Sequence, residues 1–299
     1  MQLTHKKTYY YHIDVLRSSM LLLGVVLHAG LSFIQFPLGE AWPYKHTDNA
    51  AFFDVLMLFI HTFRVPVFFV LAGFFIEMNM AQKSRKHLFI KKLKRIGIPL
   101  VLGVLFLFPL VEFGLEKALN NNQTILTYIA NFDGSHYATI HLWFLYYLLF
   151  FYTAHLLISP MLKKIRLAIN KINNSYFALL IFVFMGYAIL VLNFVNPRSF
   201  DGDYALLPNV GSVIYFLGFY VLGFVFYNIT NLFLYIQKQY TKYFVVGLIA
   251  FSVLLSSRSY ANIESDFSLF ENILFVVTAY SLVVGFFGLF TVLFKNKTK

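Results

Sequence analysis

The chain has 299 residues, 59% hydrophobic and 20% aromatic but only 12% charged, with a net charge of +11 and no cysteine. A water-soluble domain carries about 25% charged residues, so this chain has half the charge that a soluble surface needs. The lack of cysteine excludes disulfides, thiolate metal sites and a cysteine nucleophile. In a membrane protein the basic excess reads as loop charge, not as a nucleic-acid surface.

A spanning helix takes about 20 mostly apolar residues. Eight runs qualify, at about 18–37, 52–76, 98–116, 140–160, 176–195, 210–234, 243–257 and 269–294, the seventh being short and broken by serines. Ahead of the first, Met1 to Arg17 is long and polar, and the run has no small-residue cleavage site, so it reads as an anchor that is kept. With the N-terminus in the cytoplasm, nineteen of the 24 basic residues fall inside: the N-terminal arm, Lys83 to Arg95, Lys163 to Lys171, Lys238, Lys242 and the C-terminal lysines. Glu40, Asp48, Glu116, Asp133, Asp201, Asp203, Glu264 and Asp266 fall outside. This asymmetry predicts two cytoplasmic termini, which an even number of spans allows. The expected fold is an all-α transmembrane bundle of about eight spans, with residues 1–299 as one membrane-embedded domain.

An ionisable group in hydrocarbon costs at least about 2.5–3.5 kcal/mol on insertion scales, so it needs a partner or a task. His28, ten residues past Ser18, lies about 15 Å deep in the first run, and His61 and Arg64 lie about 14 and 18 Å deep in the second. All three fall near the mid-plane, where a packed neutral imidazole or a buried ion pair is the plain alternative to a reactive site. Arg17 precedes His28 by eleven residues, three turns with about 20° left over, so the two share a face about 16 Å apart. Asp14 is placed to pair with Arg17. This geometry suits a long ligand with an anionic end at the rim and a reactive end at mid-depth.

Further along, Pro66 and Gly73 interrupt the second run, and the proline frees the Thr62 carbonyl. The inner segment then closes on Lys91, Lys92, Lys94 and Arg95 before Gly97-Ile98-Pro99. If helical, it puts Lys91 and Arg95 on one face; it is either a solvated positive-inside loop or an anion site for phosphates or lipid headgroups. His141, Trp143 and Tyr146 open the fourth run at the outer surface, where aromatic belts are ordinary and where a sugar also fits.

These motifs, in this order, resemble the integral-membrane acyltransferase-3 family. Ile13-Asp14-Val15-Leu16-Arg17 followed by Gly24-Val25-Val26-Leu27-His28 resembles its arginine–ten–histidine signature. Phe63-Arg64-Val65-Pro66-Val67 through Phe74 resembles its second-helix motif, with Ala72 where serine is commoner. Phe89 to Pro99 is similar to its basic entry to the third helix, and Leu142-Trp143-Phe144-Leu145 to its Trp-Phe-Leu block. The likeness is close over 9–160 and rests on hydrophobic pattern beyond. Its nearest flavour is the periplasmic-glucan succinyl-transferase type, on His61, Gly97-Ile98-Pro99 and the lack of an esterase-like domain. The resemblance implies about ten spans and a further late motif, whereas this chain stops after its eighth run. It implies acyl-CoA (acetyl-CoA or succinyl-CoA) as a cytoplasmic co-substrate and no tightly bound cofactor or metal. A carbohydrate acceptor outside and a place in a bacterial inner membrane, among lipid, complete the expectation.

Moving an acyl group from a thioester to a sugar hydroxyl needs a base, an oxyanion partner and a grip on the donor. Histidine, which titrates near neutrality, fits the first: His28 is the expected base, or else a covalent acyl carrier. Arg64 or His61 fits the oxyanion, and Arg17 with Asp14, Lys91, Lys94 and Arg95 the donor's phosphates. His141, Trp143 and Tyr146 fit the acceptor. The rival class is a transporter or exporter of a small anion or glycan, whose mark would be paired inverted repeats with broken helices.

Overall fold

The computed structural model describes residues 10–36, 45–118, 124–125, 127, 142–173, 176–195, 210–229, 232–257 and 268–294, and all regular structure among them is helical. We number the helices α1 (Tyr11–Gly30), α2 (Ala51–Met80), α3 (Arg85–Gly114), α4 (Trp143–Ile158), α5 (Leu162–Ile169), α6 (Phe177–Val195), α7 (Val210–Asn228), α8 (Leu232–Ser257) and α9 (Leu269–Leu293). Six of them, α1, α2, α3, α7, α8 and α9, are long and apolar enough to cross a membrane. The described part of each of the eight expected runs is largely helical, but several edges move.

The second run is not interrupted. α2 continues unbroken through Pro66, while the Thr62 hydroxyl donates to the Leu58 carbonyl (2.8 Å) within the same helix. Thr278, Thr291, Asn193 and Asn228 likewise return their polar atoms to the carbonyl four residues back, which is how a span carries such groups without exposing them to lipid. The basic segment before Gly97 is not a loop either. α3 begins at Arg85, where the Ser84 hydroxyl accepts from the His87 amide. It then runs through two π turns, Leu93–Gly97 and Gly103–Leu107, each ending two residues before a proline, Pro99 and Pro109. A proline ring collides with the carbonyl four residues back, and a widened turn gives that carbonyl room.

The fourth run turns by 94° after Ile158 into the short amphipathic α5. The seventh, weak by composition, proves to be the 26-residue α8, which starts at Leu232 and carries Lys238 and Lys242 within the helix. The sixth correspondingly stops at Asn228.

α2, α7 and α9 form the interior, with 61%, 67% and 67% of their apolar windows buried, against 17% for α3. α2 and α7 meet backbone to backbone. A Cβ on Gly73 would strike the Tyr220 carbonyl of α7, and one on Gly223 would strike the Val70 carbonyl of α2. This reciprocal glycine contact lets the two backbones touch, the van der Waals solution that membrane helices favour. Gly73, expected to break α2, instead joins it to its neighbour. Around this stem the core is aromatic: Phe69 stacks on Phe216 (4.7 Å between ring centroids) and Phe219 on Tyr280 (4.3 Å). α1 and α3 lie on the rim.

Candidate active site

The seam between α1 and α2 collects the intramembrane charges. On α1, Gly24 leaves open the volume that the Arg64 guanidinium fills, and a Cβ there would collide with Nη1. One turn further along the same face of α1 comes His28; three residues earlier on the same face of α2 comes His61. The helices run in opposite directions, so both steps climb the same way, about 6 Å for His28 and about 4.5 Å for His61. The next contact along the seam, Gly30 against Met57, keeps that register. Arg64, His28 and His61, all half-buried, thus fall within about one turn of each other, His28 in the last turn of α1 and the other two in the middle of α2. In such a group an imidazole can take a proton from a hydroxyl while the guanidinium faces the developing oxyanion.

Below this group, Arg17 occupies the rim. Its Nη2 lies 3.0 Å from Asp14 Oδ1, the pairing expected from their spacing, and its guanidinium carbon 6.0 Å from the Phe75 ring centroid. The basic end of α3 divides into two faces. Lys92 turns inward, with its ammonium 3.8 Å from the Tyr152 ring centroid, and Arg17 acts electrostatically on the same tyrosine. Arg17 and Lys92 therefore both lie close to Tyr152. Lys91, Lys94 and Arg95 line a separate patch on α3 with His87 and Ile90, into which α1 sends no residue.

At the opposite end of the seam the Asp54 carboxylate accepts the backbone N–H groups of Gln35 (3.1 Å) and Phe36 (3.0 Å). This ties the segment after α1 to the first turn of α2. Asp54 precedes His61 by seven residues, two turns on the same face, so the tie sits about 10 Å above the imidazoles. Of the expected acceptor residues, Trp143 is buried with its ring against Phe216 (5.5 Å) and Tyr147 (5.3 Å), its faces taken up by packing between α4 and α7. Tyr146 is half-buried. His141 lies outside the described residues.

One charged group was not anticipated at all. Glu77, 3% exposed, closes the basic end of α2. Its carboxylate receives Arg166 through two bonds (Nε 2.8 Å, Nη2 2.9 Å), His155 Nε2 (2.7 Å) and Asn228 Nδ2 (3.3 Å). Arg166 also donates to the Ser159 carbonyl at the α4–α5 corner (3.0 Å). Four helices, α2, α4, α5 and α7, are thereby knotted together. A cost for charge within apolar segments flags His155 inside the fourth run; Glu77 escapes it because the second run was closed one residue earlier.

A profile described as an acyltransferase domain, that of the acyltransferase-3 family, matches residues 10–299. The chain belongs to the acyltransferase-3 family. That membership and its apolar helices mark it as an integral membrane protein. It is similar to glucans biosynthesis protein C of Salmonella typhi, 26% identical over 227 residues, covering 71% of this chain and 57% of the relative. The protein of the same name from Escherichia coli (strain SMS-3-5 / SECEC) is 24% identical over 240 residues, 75% of this chain and 60% of the relative. The chain spans about three fifths of the length of these relatives. No solved structure matches it.

Proposed function

We propose that this protein moves an acetyl or succinyl group from acyl-CoA, bound at the basic end, to a carbohydrate hydroxyl that enters from the opposite end. The basic end is the cytoplasmic face in this reading, on the charge asymmetry of the whole chain. The observation that carries it is the nesting of Arg64 against Gly24, with His28 and His61 one turn above and Arg17 below on the His28 face. Arg17 and Lys92 grip the donor's phosphates, while Lys91, Lys94 and Arg95 add only their field. The thioester reaches up the seam to the imidazoles. His28 takes the proton of the sugar hydroxyl as it attacks the thioester carbon. Arg64, with His61 donating, faces the oxyanion, and collapse of the intermediate expels the CoA thiolate, which takes up a proton. The Asp54 tie frames the acceptor's entry. That the relatives are named for glucan biosynthesis supports a glycan acceptor.

The test is transfer from radiolabelled acetyl-CoA and succinyl-CoA to glucan oligosaccharides by purified protein in lipid nanodiscs. Wild type transfers label; His28→Ala loses at least about a hundredfold, the range typical of a positioned acid–base group, while eluting as a monodisperse species. Equal turnover in wild type and His28→Ala removes His28 from the reaction, and no transfer from either donor to any glycan rejects the substrate assignment.

A further inference from the structure

The outward face of α3 fits an anionic phospholipid. At its start an open patch of this helix carries His87, Ile90, Lys91, Lys94 and Arg95, and no acidic side chain lines it. Directly beyond these cations α3 presents an apolar track: Ile98, Val101, Leu102, Leu105 and Phe106 are 49–66% exposed in the bundle. From Ile98 to Phe106 the track rises about 12 Å, close to the roughly 15 Å depth of one leaflet's hydrocarbon. A soluble anion matches the cations and leaves the track bare. A phosphate headgroup with an acyl tail matches both parts in the order they occur along the helix. Basic pockets at the cytoplasmic level of spanning helices take such headgroups, and Arg95 adds a planar fork suited to phosphate. The inward turn of Lys92 separates its ammonium from this patch, so one helix serves two anions on two faces.

We infer that the His87–Lys91–Lys94–Arg95 patch is a binding site for the headgroup of an anionic phospholipid whose tail lies along Ile98 to Phe106. The probe is phosphatidylglycerol, with phosphatidylcholine of the same chains as the neutral comparison. Native mass spectrometry of the full chain in neutral detergent counts the lipid retained. Wild type retains phosphatidylglycerol over phosphatidylcholine, and the preference falls as salt rises. Each of Lys91→Gln, Lys94→Gln and Arg95→Gln weakens retention about fivefold, the worth of one basic charge near an anionic surface. Lys163→Gln/Lys164→Gln on α5, which removes two basic charges from the same end, leaves it unchanged. Equal retention of the two lipids by wild type overturns the inference without recourse to any variant. So does equal loss in the α5 control, which marks a diffuse surface charge. Displacement of phosphatidylglycerol by free CoA also overturns it, and returns the patch to the donor. The acyl-transfer reading stands or falls separately, on turnover at His28.

Discussion

Removing Arg166 should cost more stability than removing Glu77, although the two share the same bonds. Arg166→Leu leaves the Glu77 carboxylate 3% exposed with only His155 and Asn228 as donors. Glu77→Leu leaves a guanidinium whose side chain is 24% exposed and which reaches water by extending along its own stem. Breaking a buried pair costs about 3–5 kcal/mol, mostly as the penalty on the stranded charge. Arg166→Leu belongs at the upper end of that range and Glu77→Leu at the lower. Glu77→Leu/Arg166→Leu strands no charge and fills the same space with apolar atoms, but the buried His155 Nε2 loses its partner at about 1–3 kcal/mol, so the double variant should cost far less than the two single losses added together. Equilibrium unfolding in mixed micelles titrated with sodium dodecyl sulfate measures all three. A double variant as unstable as the two single losses added together would refute the reasoning, because interacting charges cannot be additive. A larger loss for Glu77→Leu than for Arg166→Leu would refute the part assigned to exposure.

Gly24→Val should push the Arg64 guanidinium out of its nest and lower kcat at least tenfold, with the donor KM changed less than threefold, since Arg17 lies two turns away; steady-state kinetics with varied acyl-CoA check it. Lys92→Gln should do the reverse, raising the donor KM more than Lys94→Gln does, with a difference that shrinks in high salt; equal effects of the two substitutions would dissolve the distinction between the faces of α3. Gly223→Val should separate α2 from α7 and abolish the monodisperse species on size exclusion, whereas Gly186→Val, where a Cβ meets nothing within 4 Å, should leave it intact.

The helices were legible in the sequence because hydropathy over a span-length window records composition. Their ends were not, because composition ignores period. Arg85 to Arg95 and Lys238 to Lys242 look like loops to such a window, yet long cationic stems stay helical while their heads reach water. Ser84, with its hydroxyl on the His87 amide, is the local mark that α3 starts there. The seam residues His28, His61 and Arg64 could be placed at one depth from rise alone. That Gly24 holds Arg64 could not be, since a glycine's role depends on what approaches it from another helix. The division of the α3 cations hangs on the side chain of Lys92 finding Tyr152, sixty residues away in sequence. The knot at Glu77 joins residues up to 151 positions apart, and no local pattern encodes that.

The close fit of α2 against α7 has a consequence for the order in which the protein is made. α7 begins about 130 residues after α2 ends, so at about 5–20 residues per second roughly 6–26 s of synthesis separates them. During that interval the small-residue face of α2 around Gly73 has only lipid beside it, and Glu77 waits for an arginine 89 positions downstream. α1 is already present and can dock through Gly24 and Arg64 as soon as α2 emerges. The nascent chain thus assembles the α1–α2 seam early, on a helix whose structural partner has not yet been translated.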